Sequence, residues 1–158
     1  MAEKPITNPT ILAVFPAGED RALLIDIFAH SDWQIGFTGV LAETRRALSR
    51  SAVAVVISDS RLSDGYCWQD LLRAMQEMNG PPPLIVADRL ADDHLWAEVL
   101  NLGAYDLLAK PFDSREVLHA VTAACQHSEN ERRFAALRKP ASTARGNSAA
   151  GAYTSGAR

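Results

Sequence analysis

Three ionisable residues, each closing a short apolar run, carry the chemistry this chain offers. Asp59 follows Val53-Ala54-Val55-Val56-Ile57-Ser58, Asp88 follows Leu84-Ile85-Val86-Ala87, and Lys110 follows Leu107-Leu108-Ala109. An ammonium at a half-buried strand end is costly unless an opposite charge faces it. Pro111, directly after Lys110, fixes the backbone and removes a ladder donor, so the strand stops there and the Lys stands at its tip. Two carboxylates about 6 Å apart repel by about 2.8 kcal/mol at an effective dielectric of about 20, and a cation between them offsets much of that. The expectation is a standing charge triad, with Lys110 between Asp59 and Asp88.

Such a triad needs strands that end on one edge of a sheet. Thr10–Phe15 and Val53–Ile57 are continuous apolar runs of the kind buried on both faces, Trp33–Thr38 is weaker, and Pro81-Pro82-Pro83 leads into Leu84–Ala87. A fifth short run, ending at Lys110, follows Gly103. Helical stripes lie between them: Leu23, Leu24, Ile27 and Phe28; Leu41, Thr44 and Leu48; Trp68, Leu71, Leu72 and Met75; then Asp92–Leu102. A last helix opens on Asp113-Ser114-Arg115-Glu116, a capping box, with Val117, Leu118, Val121 and Cys125 inward. Glu19 and Asp20 are accounted for by the positive end of the first helix, with a reach back toward the strand ends to hold a metal as the alternative. Five strands alternating with five helices predict an α/β fold with a parallel sheet covered on both faces, its site at the carboxyl ends of the strands.

The 158 residues suffice for one domain with tails: a lead over 1–9, a domain over 10–127, and a helix extension with a disordered basic tail over 128–158. From Ser128 onward six basic and two acidic residues give +4, which leaves −7 on the rest of a chain whose net charge is −3. A solvated tail explains this, with contact to an acidic partner or nucleic acid as the alternative. No apolar run approaches the roughly 18 residues of a membrane span. No secretory leader is visible, and Cys67 and Cys125 stand far apart without a CxxC. A reducing cytoplasm is expected.

Ile57-Ser58-Asp59-Ser60-Arg61-Leu62-Ser63-Asp64-Gly65, together with Gly103-Ala104 through Lys110-Pro111-Phe112, resembles the receiver domain of two-component response regulators over about residues 10–127. The resemblance implies a flavodoxin-like sheet of order 2-1-3-4-5, with Asp59 as phosphoacceptor and Lys110 as partner of the phosphoryl group. Asp59 and the backbone carbonyl of Arg61 would be Mg²⁺ ligands. The family's acidic pair at the end of the first strand is replaced by Phe15 and Pro16, which offer no ligand side chain. Asp88 stands where the family has a Thr or Ser hydroxyl, and Leu107 where it has the switch aromatic; Tyr105 is expected to pack instead.

The expected function is therefore that of an atypical, stand-alone receiver in bacterial signalling. It is not an enzyme, and it acts by protein–protein contact with weak or absent phosphorylation. Trp96, Leu100 and Leu107 fall on the face that receivers use for docking, and a homodimer through that face is compatible with this. Partners would be a histidine kinase, a phosphotransfer protein or another signalling protein. The alternatives are a relay in which Asp59 is still phosphorylated, and a flavodoxin-like cofactor binder. Phe15-Pro16-Ala17-Gly18 lacks the Ser/Thr-rich loop that the cofactor binder needs.

Overall fold

The computed structural model describes residues 10–155, with side chains to Arg138. The chain divides into two units, Met1–Cys125 and Gln126–Arg158. In chain order the elements are β1 (Thr10–Val14), α1 (Glu19–Ala29), β2 (Gln34–Thr38), α2 (Leu41–Arg50), β3 (Val55–Asp59), α3 (Trp68–Gln76), β4 (Leu84–Asp88), α4 (Asp93–Leu102), β5 (Asp106–Ala109) and α5 (Ser114–Ser155). The five strands form one parallel sheet of order β2-β1-β3-β4-β5, as expected.

The central strands are buried on both faces because helices cover both. One layer joins Ile11, Ala13, Phe15, Val55, Ile57, Ile85, Ala87 and Leu108 to Leu24 and Phe28 of α1 and to Val117, Ala120, Val121 and Ala124 of α5. The other joins Leu12, Val14, Val56, Leu84 and Val86 to Leu48 of α2, to Trp68, Leu71, Leu72 and Met75 of α3, and to Val99 of α4. Alternate residues of each strand thus enter alternate layers, the period-two rule of the pleat. Leu23, expected inside, is 40% exposed, whereas Leu24 and Phe28 are buried against the sheet with Ile27 packed beside them.

Helix ends are set by local chemistry. The Asp92 carboxylate accepts the Leu95 N–H at 2.8 Å and caps α4, and the Asp113 carboxylate accepts the Glu116 N–H at 3.1 Å to cap α5. Gly103 closes α4 in the left-handed region (φ 111°), which lets the Ala104 N–H return to the Val99 carbonyl at 3.0 Å and turns the chain into β5. The α5 backbone continues past Pro140 to Ser155, in place of the disorder expected for the tail. The tail's alanines (141, 144, 149, 150 and 152) favour helix, which its polar composition concealed. No helix among the described residues is long and apolar enough to cross a membrane.

Candidate functional site

Strand parity decides which charges meet. Asp59 continues the side of Val55 and Ile57, and Lys110 continues the side of Leu108, so both head toward the layer under α1 and α5. From above that layer, the first turn of α1 contributes Asp20. The Lys110 ammonium donates to Asp20 Oδ2 at 2.8 Å and to Asp59 Oδ1 at 2.9 Å. The lysine side chain is 8% exposed, and the two carboxylates 21% and 16%. Asp59 Oδ1 also accepts the Ser60 N–H at 2.9 Å. The Lys110–Pro111 peptide bond is cis.

An aromatic floor lies under this cluster. Phe15 is fully buried, and its ring centroid lies 5.6 Å from Lys110 Nζ, within cation–π range. Phe112 meets Phe15 edge-on at 5.9 Å between centroids. The Phe15 main chain is held as well: its N–H donates to the Thr38 carbonyl at 2.9 Å, and its carbonyl accepts Arg21 Nε at 2.8 Å. Burial pulls the Lys110 pKa down, yet hydrogen bonds and charge from Asp20 and Asp59 outweigh this and raise it above the ordinary lysine value.

The triad expected from the sequence is corrected in one member. Asp59 and Lys110 meet, but the second carboxylate is Asp20 rather than Asp88. Asp88 has the parity of Leu84 and Val86 and therefore turns toward the opposite layer. Its carboxylate accepts the Leu90 N–H at 2.6 Å and the Ser60 hydroxyl, pinning the β4–α4 loop in an Asx turn. Burial alone would raise the Asp88 pKa. The Ser60 and Leu90 hydrogen bonds and the charges of Lys110 and Arg61 prevail and hold it below the ordinary carboxylate value.

The sequence reading preferred the helix dipole as the account of Asp20 over a reach back into the site. The available signal was its spacing: residues 20, 24 and 28 form one stripe, so an acid stands in line with the buried Leu24 and Phe28.

The remaining residues fall as follows. Arg61 is exposed and pairs with Cys67 across an isolated antiparallel bridge. Pro16 is exposed at the rim. Trp96 is 50% exposed on α4, while Leu100 and Leu107 are half-buried, Leu107 against the layer of α2, α3 and α4. Leu90 and Leu102, at 78% and 47% exposure, are apolar surface that the sequence reading did not assign to partners. Tyr105 packs half-buried against the α1/α5 layer, as expected.

No family model matches the chain. Among solved structures, the signal receiver domain of an HD domain-containing protein from Pseudomonas fluorescens is similar at 26% identity and a TM-score of 0.71. That match covers 84% of this chain and 97% of that one. The receiver domain of the Francisella response regulator 1452 matches at 19% identity and a TM-score of 0.69, over 77% and 99% of the two chains. The fold is that of a receiver domain. A third receiver domain, from a sensor histidine kinase of Pseudomonas aeruginosa, matches at 17% identity and a TM-score of 0.67, over 76% and 99%. It was solved with magnesium coordinated in its active-site cleft. In the present chain Lys110 is held between the carboxylates of Asp20 and Asp59.

Proposed function

We propose that this chain is an atypical receiver of two-component signalling that acts by protein–protein contact, with weak or absent phosphorylation of Asp59 and no requirement for Mg²⁺. The observation that carries this reading is the Asp20–Lys110–Asp59 cluster over the buried Phe15 ring. A divalent ion needs several oxygens arranged around it. Here the two nearest carboxylates already face an ammonium, and the side of the site that Phe15 fills is hydrocarbon. Among the described residues no three His, Cys, Asp or Glu side chains are grouped to hold a metal. Mg²⁺ at Asp20 and Asp59 would have to displace the ammonium that both already accept. A phosphoryl group on Asp59 would add negative charge beside Asp20, with Lys110 as the cation in contact.

Incubation with a small acyl-phosphate donor, with and without Mg²⁺, tests the proposal. Little or no labelling and no response to the ion are expected, and rapid stoichiometric labelling of Asp59 overturns it. A relay in which Asp59 still accepts phosphate finds support in one contact, the 2.9 Å Lys110–Asp59 bond, which places a cation where a phosphoryl group would arrive. Transfer from a histidine kinase or phosphotransfer protein that Mg²⁺ accelerates would favour that reading. The partner surface in the proposal is the α4 face around Trp96, with Leu100 and Leu107 beside it.

A further inference from the structure

The second unit, from Gln126 onward, carries an unpartnered apolar pair of its own. Phe134 is 62% and Leu137 76% exposed, and every residue from Glu131 to Arg138 is exposed. The pair belongs to a seven-residue pattern. Phe134 and, in the sequence, Ala141 repeat at one position, and Leu137 and Ala144 at the position three residues later, while the same positions one heptad earlier hold the polar His127 and Asn130. Spacing that alternates three and four is the seam by which two helices pack. Flanking that seam are Glu131 and Arg138, which share one heptad position, and Arg133, on the other side.

We propose that two copies of this chain associate through this stretch of α5 as an antiparallel helix pair. Phe134 of one protomer packs on the partner's Leu137, and Glu131 faces the partner's Arg138. Charge selects both the occupant and its direction. In antiparallel register the acidic start of the stretch lies against the basic end of its copy, giving two symmetry-related Glu131–Arg138 pairs. In parallel register Arg133 would face the partner's Arg138, like against like. Glu129 stands at the same acidic end, and Glu131 also lies 3.6 Å from His127 one turn earlier on its own helix. The contact is short, so the association is weak, and it is independent of the α4 face.

Sedimentation equilibrium of the full chain, from about 10 µM to about 1 mM, tests this. A reversible monomer–dimer equilibrium is expected. Phe134→Ser with Leu137→Ser should weaken it by about tenfold or more, without changing the helix signal or the melting of the receiver domain, since both side chains are exposed. Arg138→Glu should weaken it too, and Glu131→Arg combined with Arg138→Glu should restore it. A monomer at every concentration overturns the proposal, as does a dimer indifferent to Phe134 and Leu137. Tighter association of Arg138→Glu overturns the antiparallel arrangement.

Discussion

At the scale of the residue, Lys110 is the cation that lets two acidic side chains share one strand edge. Lys110→Met would keep most of the side-chain volume and leave Asp20 and Asp59 facing each other. A loss of about 3 kcal/mol is expected in urea unfolding, as for other partly buried pairs with one partner removed. Asp20→Asn keeps an acceptor but loses a charge, so about 1 kcal/mol is expected. If Lys110→Met unfolds within about 0.5 kcal/mol of the parent, the cluster is not holding the site together. The pH dependence follows from the direction of each shift. Lys110 is raised in the folded state, so its contribution is complete below the ordinary lysine value and disappears only as pH climbs through the raised one. Asp88 is lowered, so its contribution is complete above the ordinary carboxylate value and disappears as pH falls through the lowered one. Between those limits neither group should tilt the stability profile, which urea titrations at intervals from about pH 4 to about pH 10 can check.

At the scale of the element, the turn between α4 and β5 is the most constrained joint described. A side chain at Gly103 would have to adopt φ 111°, and its Cβ would lie 3.0 Å from Gln76 Nε2, itself bonded to the Leu102 carbonyl at 3.1 Å. Gly103→Ala should cost about 1–2 kcal/mol through backbone strain and displacement of Gln76. An unchanged urea midpoint would show that the turn relaxes freely. The elements themselves were largely legible in the sequence, because apolar strand runs and three- and four-residue helical spacing are strong signals. The capping residues Asp92 and Asp113 and the break at Gly103 were legible for the same local reason. The membership of the site was harder to read. Counting strand ends put Asp59, Asp88 and Lys110 together, yet a pleat sends neighbouring positions to opposite faces. A shift of one residue between the Asp59↔Ala87 and Asp88↔Ala109 pairs was enough to send Asp88 away. Asp20 arrived from a helix, where sequence distance gives no hint of a contact 90 residues along the chain.

At the scale of the molecule, burial separates two tryptophans by their duties. Trp68 is 3% exposed at the start of α3 and anchors one layer, so Trp68→Ala should cost about 3–5 kcal/mol. Trp96 is half in water, so Trp96→Ala should cost less than about 1.5 kcal/mol while weakening capture of any partner that uses α4. Comparing urea midpoints with partner binding for the two variants separates a core residue from an anchor; a large stability loss at Trp96 would remove it from the partner surface. The enclosure of Lys110 has one more consequence. A primary amine that is 8% exposed and already donating to two oxygens is a poor nucleophile. An amine-reactive ester at neutral pH should therefore spare Lys110 in the folded chain and modify it only when the strand edge opens. The rate at which that single amine becomes acylated is then a chemical clock for how often the site breathes.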